Sequence, residues 1–583
     1  MKRRLLAVVL TMALAVASLA GCGGDKTSTS ASTGNTGTET STSGNSSETS
    51  GETITIDVFD AAANYQGMQT GWFQEVVKSR FNIELNILAP QVSGDALYQT
   101  RVSSGNLGDI VLLDATDFAD CVKAGLIKDI SAEFKNSENL MKFQDQIDTY
   151  NKSLEGNAEG KTYGIPTEMM NTSPTSFSDD VIYSSPLLRW DLYQAVGAPD
   201  IADLNGLLDV LAEMMEKYPT NEAGDPCYPL SLWKDWDGGD GMLGIANVVQ
   251  LTTWYGEKIK GSAILKADNT FTPITDKTAT YYKLLKFLND AYQRGLVDPD
   301  SATQDWNSAC AKMTAGQVYL MWYSWQVGFW NTNDRLANGT AFIFTPVKDQ
   351  IYYTNSDTYY GSGRLFGVGA GVEGEKYDRI MKFLDWYASP EGCQFQHAGI
   401  EGFNYTVNED GTFTQINDNA LMDNLPVPAE YGGAGYQDGN NAINQWIVSA
   451  AAFNPNTKEQ YAAAHWSSYK AATMTKTKTE WAERFGAAEP VDWMKANNAL
   501  LVSPSVSVNL ASDTADISVI RNQCNQELCD ASWRMIFANS NEEFDAMWDE
   551  LATNLDSFGF QDLYKFDVDN YTVELNAKLD AMK

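Results

Sequence analysis

Sixteen tryptophans and 27 tyrosines stand in this 583-residue chain, and two clusters place them where binding chemistry is possible. Trp233-Lys234-Asp235-Trp236-Asp237-Gly238-Gly239 is polar and glycine-rich, so it reads as a loop and not a core strand. Trp322-Tyr323-Ser324-Trp325, with Trp330 close behind, is the second. An aromatic face packs on an apolar C–H face such as that of a sugar ring, while hydroxyls beside it need polar partners. A core role is the competing reading for any tryptophan. Loop context favours a platform at Trp236, and Asp237 would then serve as a polar partner.

Groups for covalent or metal chemistry are sparse. His397 and His465 are the only histidines, and neither has a metal-ligating neighbour at i+4. A His-dependent triad therefore has little support. Gly156 to Thr162 nearly spells a phosphate loop but has three residues between its glycines, not four; a tight hairpin accounts for it. Nothing singles out a carboxylate pair for glycoside hydrolysis among 76 acidic residues. Asp235 and Asp237 make at most a partial calcium loop, since Gly239 stands where a third ligand belongs. Six of the seven cysteines (Cys121, Cys227, Cys310, Cys393, Cys524, Cys529) are scattered without CxxC spacing and read mostly as buried small hydrophobes. Cys524 and Cys529 pair only if their backbones approach within about 7 Å. No cofactor and no metal is expected, and no enzyme.

The remaining cysteine has a different setting. Lys2, Arg3 and Arg4 precede the apolar run Leu5–Ala20, and Leu19-Ala20-Gly21-Cys22 closes it. This is the layout of a secretory signal, and the tetrapeptide resembles the bacterial lipobox. Residues 1–21 are expected to be removed and Cys22 to be lipidated. Residues 22–52, rich in Ser, Thr and Gly without an aromatic, read as a flexible tether with a reach of about 30 Å. The formal charge is −35, from 41 basic and 76 acidic residues. Such a surface disfavours nucleic acid and anionic lipid, which require basic patches. Membrane contact through the anchor alone, on the extracellular face of the cytoplasmic membrane, and a monomeric state are expected.

Positioning elements follow from periodicity. Thr53–Phe59 and Ile83–Leu88 alternate as strands, and Asp109–Leu113 is a short buried strand. Helices are expected over Trp72–Arg80 and Ala96–Ser103 between them. Strand–helix–strand–helix–strand indicates a parallel α/β sheet. Longer helices are expected over Asp203–Tyr218, Thr278–Arg294 and Asp378–Ala388, with Ser389-Pro390 opening another. The last third is helix-rich. At this length two lobes or more are expected.

Seven stretches in order resemble the extracellular solute-binding proteins of bacterial ABC importers, closest to the carbohydrate-binding class. Ser104-Gly105-Asn106-Leu107-Gly108-Asp109-Ile110-Val111 is similar to that family's "SG..PDI" strand, and the segment from Val122 to Ile127 follows it. Gly160-Lys161-Thr162-Tyr163-Gly164-Ile165-Pro166 resembles "GK.Y.IP", and Leu188–Leu192 with Gly197 and Pro199 its "R-x-D-W-L...G...P". Lys312–Met321, Met381–Gly392 and Gly399–Tyr405 resemble "F..GK.AM", "KFLD.LYSPEG" and "GIEG..Y". The likeness covers most of residues 53–410 and thins beyond. Relatives often carry an acidic calcium loop where this chain has Thr220–Pro229, which lacks most of the oxygen ligands.

The resemblance implies a type II periplasmic-binding-protein fold: two α/β lobes joined by a hinge, a ligand cleft between them and a helix-rich C-terminal part. Residues 53–165 with about 341–400 would form one lobe, and about 166–340 with 401–583 the other. Loops after strands would then face the ligand: Asn64 and Tyr65 after the first strand, Asp114, Thr116 and Asp117 after the third. Asp114 and Thr116 are equally suited to cap a helix. Trp325 falls near the aromatic that relatives place under a sugar ring, with Tyr323 beside it. Arg364 is a fork donor to hydroxyls or a carboxylate, or a surface ion pair. Trp446 completes the set. The implied function is capture of an oligosaccharide for an ABC permease; a surface glycoside hydrolase and a peptide-binding or sensor-coupled protein are the alternatives.

Overall fold

The computed structural model describes residues 51–583 apart from 95, 158, 239–242, 417–424 and 509. The lipobox and Cys22 lie outside the described residues.

The alternating runs near the start form the parallel centre of a six-stranded sheet. β1 (Ile54–Asp60) lies between β3 (Ile83–Leu88) and β4 (Ile110–Asp114), with Ile54 opposite Ile83 and Val58 opposite Ile110. β13 (Arg364–Val368) returns antiparallel to β4 and sets Arg364 opposite Asp114. Short β2 (Gly67–Met68) and β5 (Ile165–Pro166) complete the order β2-β3-β1-β4-β13-β5. Side chains alternate across a sheet. Ile56, Val58, Ile110 and Leu112 therefore enter one apolar cluster with the helix Gly71–Phe81, while Phe59, Val111, Leu113 and Leu365 enter another with the helix Ala115–Lys123.

A separate core surrounds β6 (Ser184–Arg189), which runs antiparallel between β10 (Leu320–Tyr323) and β11 (Phe342–Phe344). A small meander, β7 (Lys258–Lys260), β8 (Ala263–Leu265) and β9 (Phe271–Pro273), lies against it. β12 (Tyr352–Asn355) pairs in parallel with β16 (Leu500–Ser503), and β14 (Tyr405–Val407) with β15 (Phe413–Gln415) form a hairpin. The helix Leu204–Lys217 starts at Asp203, whose carboxylate accepts from Gly206 N at 2.9 Å, and buries Leu204, Leu207, Leu208, Leu211 and Met214. Such an amphipathic stripe is what the sequence pattern requires.

Three C-terminal helices, Ala515–Ile536, Asn541–Ser557 and Phe560–Ala581, cover this second core. Tyr281 and Ser532 share a hydrogen bond of 2.8 Å, and Asn289 donates to the carbonyls of Ile536 and Ala538. Asp567 is buried and takes Arg521 with both oxygens (3.0 and 2.7 Å), together with the Ser262 amide and hydroxyl at 2.7 Å. Cys524 and Cys529 sit on one helix and are both free thiols.

The cores partition the chain differently from the sequence reading. Phe342, Phe344, Val347 and Tyr352, expected with the first lobe, are buried in the second core. Val427, Ile443, Ile447, Val448, Ala452 and Tyr461, expected with the second, pack on the first sheet. The chain therefore passes between cores near 166–182, 355–364 and 461–476. None of these passages carries a strong hydrophobic period, so their positions are set by what packs on either side. Among the described residues no helix is long and apolar enough to cross a membrane.

Replacing Asp567 with alanine strands part of the Arg521 charge, which is costly when buried. A loss of about 3 kcal/mol is expected, read from the urea midpoint of the transition that reports the second core.

Candidate functional site

The aromatic clusters converge. β10 ends at Tyr323, and Gln326 Oε1 accepts from the amides of Trp322 and Tyr323 at 2.9 Å each, fixing the corner that presents Trp325. Trp325 is 39 % exposed and stacks on buried Tyr323, with centroids 5.1 Å apart and planes at 18°. Tyr183, 56 % exposed, meets the Tyr323 ring edge-on at 5.2 Å. Trp236 lies 6.0 Å from Trp325, and Trp306 bridges them at 4.5 and 5.3 Å. Beneath, Trp233 and Trp322 stack at 5.3 Å and 8°, both buried. Buried rings thus hold the exposed rings, which lowers the ordering cost of a rigid aromatic surface. Trp330 stands apart, buried between the guanidinium groups of Arg189 and Arg335 at 4.3 and 3.3 Å.

Asp237 has another task. Its carboxylate accepts from Trp533 Nε1 at 2.6 Å and from the Ala246 amide at 3.0 Å, and burial pushes the carboxyl up to about 6. Both oxygens are committed to protein, so its chemistry ties the loop to the C-terminal helices. Asp235 accepts from the Trp306 amide at 2.9 Å and so helps place that ring.

On the first sheet the carboxyl ends of β1 and β4 come together. Asp114 occupies the backbone cap position of the helix Ala115–Lys123 but makes no side-chain cap bond. Its carboxylate accepts instead from Arg364 Nε across the β4–β13 pair, at 2.9 Å. Thr116 and Asp117 are exposed on the first turn of that helix. Asn64 and Tyr65 are exposed after β1, and the Tyr65 hydroxyl donates to Met68 O at 2.7 Å. Asp60 ends β1 fully buried; Oδ1 accepts from the Ala62 amide at 2.8 Å, while Oδ2 has no partner among the described residues. Burial raises its carboxyl to about 7 against the opposing effects of the Ala62 and Ala63 amides and the nearby Arg364 charge. Trp446 is half-buried, its ring 5.4 Å from His397 and its carbonyl accepting from the Glu168 amide at 2.8 Å.

Between the cores lies a cavity of about 640 Å³, a size suited to a small-molecule ligand. Its walls come partly from the passages between cores, with Glu168, Asp179 and His465, and partly from the second-core side, with Tyr183, Lys258 and Tyr353. None of the sequence-selected residues lines it; Tyr183 joins it to the aromatic surface. Tyr183 and Trp306 were missed because each stands alone in sequence, outside the two clusters. The loop at 220–226 is closed by Asn221, whose Oδ1 accepts from the amides of Ala223 and Asp225 at 3.0 and 2.8 Å. Among the described residues no group of three or more His, Cys, Asp or Glu could hold a metal ion.

The chain belongs to the bacterial extracellular solute-binding proteins, whose family model matches residues 67–392. It is 25% identical over 437 residues to lipoprotein LipO of Bacillus subtilis (strain 168), an overlap of 72% of this chain and 77% of that protein. In fold it is similar to an HMO-binding, ABC-transporter-associated solute-binding protein from Bifidobacterium longum infantis, with TM-score 0.54 and 15% identity over 91% of this chain and all of that one. It is similar too to the S. pneumoniae ABC-transporter substrate-binding protein FusA in complex with kestose, with TM-score 0.53 and 15% identity over 89% and 99% of the two chains. The architecture is that of a type II periplasmic-binding protein.

The buried ionisable groups set a pH dependence of opposing signs. Asp60 and Asp237 hold their protons to higher pH when folded than in the unfolded chain, where aspartate titrates near 3.8. The folded state then binds more protons between about pH 4 and 7, and stability falls as pH rises through that window. His397 acts oppositely: burial lowers it from 6.5 to about 4, so stability is lost as pH falls through that interval. Asp60→Asn removes only the Asp60 contribution. The variant is expected to gain on the wild type between pH 4.5 and 8, by up to about 3 kcal/mol, in urea melts at both pH values. An unchanged difference would contradict the buried carboxyl.

Proposed function

We propose that this chain is the capture subunit of an ABC importer for oligosaccharides, held at the extracellular face of the cytoplasmic membrane by a lipid on Cys22. The observation that carries the sugar reading is the exposed ring pair Trp325 and Tyr183, backed by buried aromatics and adjoining a polar cavity between two cores. Stacked rings suit the apolar faces of pyranose or furanose units. The Asp114–Arg364 pair offers an acceptor and a fork donor to hydroxyls. Two relatives of the same fold bind HMO and kestose.

In this reading the sugar touches both cores and favours a closed arrangement by its differential affinity. The closed form then delivers it to the permease. Asn64, Tyr65, Thr116, Asp117, Trp236 and Trp446 provide further contacts from the two sides. The chain acts by binding and not by bond cleavage. The tether lets the captured sugar move over the membrane without loss of the protein.

A glycan panel in a thermal-shift assay tests the reading, because a ligand that binds only the native state raises its melting temperature. Trp325→Ala is expected to weaken glycan binding at least tenfold by calorimetry with an unchanged melting temperature for the free protein. Release of reducing ends from a glycan would overturn the binding role. Cys22→Ala is expected to move the protein from the membrane fraction to the medium with its affinity unchanged; retention on the membrane would remove the anchor.

A further inference from the structure

The cavity between the cores contains an unsatisfied cation. Lys258 begins β7, where Ile259 points into the core and Lys258 and Lys260 point the other way. Lys260 is paired with Glu574 at 2.7 and 2.9 Å, and Lys578 reaches the same carboxylate at 2.7 Å. Both Glu574 oxygens are thereby taken. Two ammonium groups share that carboxylate, and the Lys258 ammonium has no hydrogen bond or ion pair among the described residues while lining the cavity. Burial, then the neighbouring Lys260 and Lys578 charges, lower its affinity for a proton, against the smaller opposing effect of Glu574.

An unpaired lysine is out of place in a chain with 76 acidic residues against 41 basic ones. The acids of the same cavity, Glu168, Asp179 and Asp357, make no ion pair with Lys258, and of the three only the Asp357 side chain is hydrogen-bonded among the described residues. Asp357 accepts from the Ser178 amide and hydroxyl at 2.9 and 2.7 Å. Asp179 lies beside His465, whose Nδ1 has no partner. Around Lys258 the cavity wall adds neutral hydrogen-bonding groups, Gln250, Thr253 and Tyr353. A desolvated ammonium gains most from a full negative charge, because a neutral hydroxyl leaves the buried charge uncompensated.

Building on the glycan reading above, we infer that the sugar carries a monoanionic substituent, a carboxylate or a sulfate ester, seated on Lys258. One ammonium matches one negative charge, and the remaining rings of the glycan extend toward Tyr183 and Trp325.

The test compares trigalacturonate with its fully methyl-esterified form, which keeps the rings and removes the charge. Calorimetry is run on the wild type, Lys258→Gln and Lys258→Met, with galactose 6-sulfate against galactose as the sulfate arm. The acid is expected to bind at least tenfold tighter than the ester, with the preference falling as chloride rises from 0.05 to 0.5 M. Both variants should abolish the preference and keep the melting temperature of the free protein. A response in the sulfate arm alone assigns the anion as a sulfate ester. Equal binding of acid and ester with no sulfate response, or a preference that survives in both variants, overturns the inference. Binding of neutral glycans alone overturns it and leaves the glycan reading standing; binding of no glycan removes both.

Discussion

The passages between the two cores have to satisfy their own backbone groups, and Asp357 does much of that. Its carboxylate takes the Ser178 amide and hydroxyl, and its amide donates to Ser176 O at 2.8 Å. The first passage is thus bound to the second. Lys470 on the third passage pairs with Asp180 on the first at 2.6 Å. Segments outside regular sheets would otherwise leave polar backbone buried without partners. Asp357 also lines the cavity, so the joint and the binding space share a residue. A change of angle between the cores must change the cavity.

The aromatic surface depends on the second core in a comparable way. Trp325 is presented by a corner held by Gln326, and rests on rings that descend through Tyr323 to the buried Trp233–Trp322 stack. Asp235 and Asp237 secure the neighbouring loop from below, one on Trp306 and one on Trp533. Burying the Asp237 carboxylate is destabilising at neutral pH, and the two hydrogen bonds offset part of that cost. What results is a rigid hydrophobic face rimmed by polar groups, a surface that needs little reorganisation to receive a ring.

Much of the first sheet was readable from the chain. Alternation in Ile54–Asp60 and Ile83–Leu88 and the apolar run at Ile110–Leu113 identify strands because a half-buried or fully buried strand has few other patterns. The cap at Ser389 is local chemistry and stands where the sequence places it, while Asp203, read as the first residue of its helix, is the cap one position before it. The site was less readable. Trp236, Tyr323 and Trp325 do come together, and Asp114 does meet Arg364, 250 positions away. Asp237, by contrast, looks like a ligand group in its loop and is a structural acceptor, because its partner Trp533 is 296 positions distant.

By itself the sequence determined the strand and helix periods, an N-terminal layout that resembles a secretory signal with a lipobox, the excess of acid and the ordered motifs of a family. Each is a property of neighbouring residues or of composition. The tertiary structure alone decided which tryptophans stay exposed, that residues 427–461 close the first core, and that Glu574 satisfies Lys260 and Lys578 but leaves Lys258 bare. Burial and charge pairing depend on groups that the chain brings together from hundreds of positions apart. No local pattern encodes which of several equivalent lysines will find the Glu574 carboxylate.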